Sequence, residues 1–467
     1  MKEKTISLFL TTTLILIVGF TNNGNAQKIA AGFNHTLFSC TSGTPQAVGT
    51  NTIGQLGIGN YVSHSTPVQV SGLNGIVAVA AGDFHSLFLK NDGTVWAVGA
   101  NGNGQLGDGT TENKLSPVQV AGLTGITAIA AGSNFSLFLK NDGTVWGVGN
   151  NTGGQLGDGT DANKSTPVQA IGLTGITAIS AGQFHSLFLK NDGTVWATGG
   201  NYYGQIGNHP YAGNLSPVQI LGLSGITAVS AGGTHSLFLK NNDTVWGVGS
   251  NYYGQLGNVS VGSYIYNPFQ ITGLSGITQL SAGYLHSLFL KSNGTVLASG
   301  TNTYGQLGDG TTVGKSTPFV IPGLTAVIAI DAGVHNSFFL KSNTTVRAVG
   351  NNNSGQLCDG TTIERHTPVL ATNLCTINLS VEENILENTV AVYPNPCNEQ
   401  LFIDITSINV DCTSTIAELH NMQGQLLWSV AVKTPITSFQ VGDLKEGIYF
   451  ISIKNTKGTF VKKIIKE

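Results

Sequence analysis

The 467-residue sequence predicts an all-β chain: a seven-bladed β-propeller followed by a small β-sandwich of Ig-like type. Three observations carry the prediction. AG recurs at Ala31, Ala81, Ala131, Ala181, Ala231, Ala282 and Ala332, and GQ(L/I) at Gly54, Gly104, Gly154, Gly204, Gly254, Gly305 and Gly355, so copies of one unit follow one another at a period of about 50 residues. Each copy reads as four short β-rich runs separated by glycine-rich turns. After Cys375 the period stops but the alternation of strands continues.

The N-terminus comes first in the chain. Lys2 and Lys4 precede a mostly apolar run from Ile6 to Phe20, and Gly24-Asn25-Ala26 supplies small residues at a cleavage site. This three-part order predicts a signal peptide over residues 1–26. A membrane-spanning helix needs about 20 apolar residues, and this run of about 15 is interrupted by threonines and serine. Export therefore follows, with no membrane span after removal of the signal.

Residues 27–374 form the repeat array. In the copy after Thr124, GITAIAAG, SLFLK, TVWGVG and PVQAIGL are the four strands, and Asn141-Asp142-Gly143 is a hairpin turn that tolerates positive φ. Radial repetition protects sheet edges that an isolated four-stranded sheet would leave open. The chain enters at KIAAGFNHTLF and the array leaves at TPVLATNL, residues 367–374. That arrangement predicts that the last segment completes the blade begun by the first.

Composition limits the function classes. Charged residues are 10% of the chain, against about 25% in ordinary soluble domains, and residues 28–374 carry 12 basic and 13 acidic side chains. No region has the basic excess that draws nucleic acid or an anionic membrane. The five cysteines, Cys40, Cys358, Cys375, Cys397 and Cys412, match no zinc spacing. Their odd number leaves at least one unpaired, and the proximity of Cys397 and Cys412 makes them the first candidate pair. No calcium ladder, nucleophile elbow or phosphate loop occurs, so neither metal nor cofactor is expected.

A repeat supplies its own control, because a slot filled alike in every copy builds blades, whereas function shows in slots that differ. His35, His85, His185, His235 and His286 share a slot with Phe135 and Asn336. A ring of metal ligands would not accept Phe, so these histidines read as partly buried scaffold bonded to local backbone. The variable AGxx turns and N-xx-GQLG loops fall at one end of the strands, the KNDG and GLTG turns at the other. Phe33, Phe84, Phe184, Tyr202, Tyr203, Tyr252, Tyr253, Tyr284 and Tyr304 occupy those variable positions, and tyrosine is enriched in binding surfaces. The reading is a non-enzymatic propeller that binds an extracellular protein or glycan through this face. The alternative is an extracellular enzyme or enzyme accessory with an axial pocket.

The repeated GxxHSLFLKxDGTVWxVGxNxxGQLGDG pattern resembles the repeat of the regulator of chromosome condensation family, whose members are seven-bladed propellers. The resemblance covers about residues 28–374. Nuclear members exchange guanine nucleotides on a small GTPase, but the absence here of a basic tail and of a large insertion within a blade argues against that activity. Secreted bacterial relatives include a β-lactamase inhibitor that binds through aromatic residues of one face, which favours protein binding.

Residues 375–389 read as an acidic linker. The last segment, residues 390–467, resembles the C-terminal sorting domain of the type IX secretion system through Tyr393-Pro394-Asn395-Pro396, Gly424, Gly447-Ile448-Tyr449 and the closing Lys462 and Lys463. That resemblance implies recognition by the outer-membrane machinery, and secretion or attachment at the Gram-negative cell surface.

Overall fold

A computed structural model describes residues 28–207, 213–258, 263–377, 391–405, 415–421, 426–432, 434–455 and 458–467. The segment expected to be a signal peptide and all of the linker beyond residue 377 lie outside this set. The described residues fall into two compact units, before and after the linker.

The first unit consists of seven four-stranded antiparallel sheets, each built from consecutive strands. Blade 1 comprises Ile29–Ala31, His35–Phe38, Gln46–Gly49 and His64–Gln69, and blade 2 comprises Ile76–Ala81, His85–Lys90, Val95–Gly99 and Lys114–Gln119. Blades 3 to 7 repeat this order over residues 126–169, 176–219, 226–271, 277–320 and 327–370. Burial explains the sequence pattern of each strand. HSLFLK is buried along nearly its whole length, because a second strand is covered by blades on both sides and so reads as a continuous apolar run. The outermost strand, KLSPVQ, has no fully buried residue and exposes Ser116 and Gln119.

The core is a set of slabs between blades. Leu87, Leu89, Val95 and Ala97 of blade 2 pack with Ile129, Phe138 and Val148 of blade 3, and equivalent clusters join the following blades. Trp96 and Trp146 lie at the edge of these slabs as packing residues.

The ring does not close by exchanging a strand. Blade 1 is completed by its own fourth strand, His64–Gln69, and blade 7 by Arg365–Leu370, which corrects the expectation of a shared blade. A partner strand that starts 15 residues on, at His64 after Gly49, costs less loop-closure entropy than one some 300 residues distant. Side chains and a covalent bond close the ring instead. Ala31 N–H donates to Asp331 Oδ2 at 2.8 Å and Thr36 Oγ1 to the Gln356 carbonyl at 3.0 Å. Cys40 and Cys375 form a disulfide spanning 335 residues, with Cα atoms 5.6 Å apart. Thr41 N–H beside it donates to the Thr376 carbonyl.

The pairing of Cys397 with Cys412 is also corrected: Cys397 is a buried free thiol, as is Cys358, and Cys412 lies outside the described residues. Spacing misled here because Cys375, which follows the last blade, meets Cys40 only once the ring has formed.

The second unit is a small sandwich. A three-stranded sheet in the order Ala391–Tyr393, Gln400–Asp404, Ile436–Gln440 faces a four-stranded one in the order Leu426–Ala431, Ile416–Asn421, Gly447–Asn455, Gly458–Lys466. Val392, Leu401, Ile403, Leu419 and Ile451 are among the residues that fill the space between them. No helix among the described residues is long and apolar enough to cross a membrane.

Candidate functional site

Antiparallel pairing within each blade puts the AGxx turn and the long loop after the third strand at the same end of the ring. There the aromatic residues form two groups. The inner one gathers around His335: the Phe33, Tyr284 and Tyr304 ring centroids lie 5.8, 6.3 and 4.6 Å from the imidazole, and Phe84 lies 5.7 Å from Phe33. These side chains come from blades 6, 7, 1 and 2 and are half-buried. Tyr284 lies across Gly233 of blade 5, where a Cβ would clash with its ring. The sequence reading passed over His335. Its signal was position, since it fills the same turn slot as Phe84 and Phe184.

The outer group belongs to blades 4 and 5. Tyr202 and Tyr252 are 76% and 65% exposed, and Tyr203, Tyr253 and Phe184 are exposed beside solvent. Tyr253 contacts Tyr252 edge-on at 4.9 Å, and Tyr203 contacts Tyr264 at 5.6 Å. Phe184 makes no ring contact among the described residues.

The loops holding these groups differ in how they are fastened. In blade 2, Asp108 accepts from Thr110 and Asn101 and pairs with Lys114 at 3.3 Å. Burial pushes its carboxyl upward, but the Thr110, Lys114 and Asn101 bonds together hold it below the usual range. Asp158–Lys164, Asp309–Lys315 and Asp359–Arg365 repeat the bolt in blades 3, 6 and 7. Blades 4 and 5 carry Asn208 and Asn258 in that slot, so the exposed tyrosines stand on loops without it. Turn formation and ion pairing account for these aspartates. Among the described residues no group of three or more His, Cys, Asp or Glu side chains converges.

Charge divides unevenly between the ends. Four basic residues, Lys114, Lys164, Lys315 and Arg365, lie toward the aromatic end, and all four are paired with aspartate. The acidic residues toward that end number nine, including Asp83, Asp161, Asp331 and Glu364. Asp83, in the turn beside Phe84, has its carboxyl pushed up by burial against an opposing hydrogen bond from Ser133.

The histidine slot is fully buried and bonds across blades, not to local backbone as the sequence suggested. His85 Nε2 reaches Ser136 Oγ of the next blade at 3.0 Å, and Ser136 Oγ donates to the Gln105 carbonyl at 2.8 Å. His35, His185, His235 and His286 do the same with Ser86, Ser236, Ser287 and Ser337. Burial holds His85, His185, His235 and His286 down to about 3, and His35 to about 4. Gly82 leaves room for the ring, since a Cβ there would meet both His85 and the Gly132 carbonyl.

The axial strands carry polar side chains only in blades 4 to 7 at the slot two residues before the AGxx glycine. Ser180, Ser230 and Ser281 accept from Ala231, Ala282 and Ala332 N–H of the next blade, and Asp331 accepts from Ala31. These groups brace neighbouring blades.

In the sandwich, Asn395 Oδ1 accepts the Ile465 N–H at 2.8 Å, and the Cys397 backbone brackets the last strand through Ile465 and Glu467. The segment Tyr393-Pro394-Asn395-Pro396 therefore pins the C-terminus. Tyr393 stacks on Phe402 at 5.6 Å, and Tyr449 Oη donates to the Lys445 carbonyl. Lys462 pairs with Ile451 across the edge strand, and Gly447 begins the strand that carries Tyr449. Gly424 lies outside the described residues.

Comparison with known proteins follows the same division. The profile of the RCC1-like domain matches residues 4–220 and 126–387, and that of the secretion system C-terminal sorting domain matches residues 391–467. Human WBSCR16 is 24% identical with a TM-score of 0.64, covering 69% of this chain and 92% of its own. Prp20p from Saccharomyces cerevisiae is 20% identical with a TM-score of 0.64, covering 80% of this chain and 90% of its own. At these identities the likeness is one of fold. No curated protein sequence matches the chain.

Proposed function

Because this chain belongs to the RCC1-like domain family and ends in a secretion system C-terminal sorting domain, we propose that it is a non-enzymatic propeller that binds a protein or glycan outside the cell. The sorting domain directs the chain to the cell surface or medium. The partner meets the aromatic end of the ring. One observation carries this reading: Tyr202, Tyr203, Tyr252 and Tyr253 are exposed on the loops of adjacent blades 4 and 5, which lack the aspartate bolt, as the blade 1 loop also does with Ile58 in its slot. Rigid aromatic side chains with polar tips give contact area at small entropic cost. The acidic surplus at this end of the ring, carried by blades 2, 3, 6 and 7 and not by the tyrosine loops themselves, favours a partner whose contact surface is basic beyond the tyrosines.

The axial-pocket reading has less support, because the serines and Asp331 near the axis already bond neighbouring blades.

The test uses the full chain with all four tyrosines changed to alanine. The variant should keep the wild-type unfolding midpoint and lose the partners that the wild type captures from the surrounding medium. Collapse of the fold would return the tyrosines to a packing role, and undiminished capture would move the binding site elsewhere.

A further inference from the structure

The end of the ring opposite the aromatic face carries a second repeat-breaking pattern. In blades 2, 3 and 4 the lysine that closes the second strand is paired within its own hairpin turn: Lys90 with Asp92 at 3.4 Å, Lys140 with Asp142 at 3.6 Å and Lys190 with Asp192 at 3.8 Å. Blades 5, 6 and 7 keep the lysines, Lys240, Lys291 and Lys341, but have Asn242, Asn293 and Asn343 in place of the aspartates.

The exchange leaves the turn intact. Asp92 Oδ1 accepts the Thr94 N–H at 2.9 Å, and Asn293 Oδ1 accepts the Thr295 N–H at 3.0 Å in the same way. Asn242 and Asn343 serve Thr244 and Thr345 likewise. What changes is one negative charge in each of blades 6 and 7, whereas in blade 5 the charge moves one position along the turn, to Asp243. Among the described residues none of the three lysines meets a carboxylate, and Arg347 adds a further cation in blade 7. Asp243, the one acid in these three hairpins, makes no ion pair with Lys240. The turns between blades on this face, such as residues 121–125, carry no charge. A net charge near zero for the ring thus conceals a basic arc over three consecutive blades.

We propose that this arc is a binding site for a linear anionic polysaccharide bearing carboxylates, a ligand distinct from the partner of the aromatic face. Lysine ammonium groups are hydrated point charges that suit a diffuse polyanion better than a single bidentate carboxylate or phosphate. A chain can follow blades 5 to 7 and avoid Asp92, Asp142 and Asp192, whereas a flat membrane would press those carboxylates against lipid phosphates. The three turns consist of Asn, Ser, Thr, Gly and Asp, without the aromatic anchors on which protein interfaces depend. The ring beside the arc, Trp246, lies 5.9 Å from the Lys240 ammonium and steadies it.

The experiment measures retention of the full chain on immobilised polygalacturonate at about 50 mM salt, where screening is weak. Wild type should bind and elute as salt rises. Lys240→Gln/Lys291→Gln/Lys341→Gln should weaken binding about 10- to 100-fold. Asn242→Asp/Asn293→Asp/Asn343→Asp, which restores the pattern of blades 2 to 4 without removing a lysine, should weaken it comparably. Lys90→Gln/Lys140→Gln/Lys190→Gln removes as many lysines and should leave binding within about twofold, since its lysines are already neutralised. Failure of wild type to bind, or equal losses in the two lysine variants, would overturn the proposal. Equal or tighter retention on polyglutamate would assign the arc to an acidic polypeptide, and on phosphatidylglycerol vesicles to a membrane; either result rejects the polysaccharide.

Discussion

His85 Nε2 lies 3.0 Å from Ser136 Oγ, and the Ser136 hydroxyl donates its own hydrogen bond to the Gln105 carbonyl 2.8 Å away. The serine has one hydroxyl hydrogen and directs it at a carbonyl, so the imidazole must be the donor in the other bond. Its Nδ1 is then an unprotonated acceptor, and it has no partner. Ser136→Ala should therefore strand a buried N–H and a buried carbonyl together. The expected cost is about 2–4 kcal/mol, read as a lower urea midpoint at unchanged slope.

Acid should loosen the ring before it touches the aspartate bolts. An unfolded histidine titrates near 6.5, whereas His85, His185, His235 and His286 titrate at about 3 in the fold. The unfolded state thus binds protons first. Stability is fully present above about pH 6.5 and falls as pH drops toward the folded values, by about 1.4 kcal/mol per pH unit for each histidine. Urea unfolding between pH 7 and 5 checks this. His85→Gln, which keeps an amide donor without the titration, should flatten the slope by one histidine's share.

At the seam the pattern is broken, and repairing it should stabilise. Asn336 fills the histidine slot of blade 7 with both polar atoms buried and unpartnered, while Thr36 across the seam donates to the Gln356 carbonyl. Asn336→His should gain the missing bond to Thr36 and raise stability by about 1 kcal/mol. A lower thermal midpoint would show that the seam is spaced differently from the other six junctions.

Reduction should weaken the ring more than its local packing suggests. Cys40–Cys375 restrains a loop of 335 residues, and removing such a bond typically costs about 2–5 kcal/mol. Cys375→Ser should reproduce the effect of reductant on urea unfolding and abolish any further response to it. The buried thiols Cys358 and Cys397 stay unreactive in the folded chain.

The blades were legible in the sequence because their strands repeat a pattern whose physical reason is local. A second strand buried on both faces must read as HSLFLK, and an Asp-Gly step must turn. The contacts between blades were less legible, since each joins residues of different copies. Even so, a trace existed: serine follows the histidine slot in six copies and threonine in the first, including the copies where the histidine is Phe135 or Asn336. The retained member of the pair was the one serving both neighbours. The seam could not be read this way, because Cys40 takes the slot that holds Lys90 in the next blade, and nothing in the spacing pairs it with a residue beyond the array. Within the aromatic face, Phe33, Phe84, Tyr284 and Tyr304 were found from their variable slots, but the contact that brings Phe33, and Phe84 behind it, to His335 depends on the ring being closed.

The bond between Cys40 and Cys375 also sets an order of events. Its second sulfur comes from residue 375, five positions after the final strand of blade 7, so the native bond cannot precede synthesis of the whole array. The native bond thus distinguishes a chain whose seven blades have all been made from a shorter one, which has no Cys375 to offer.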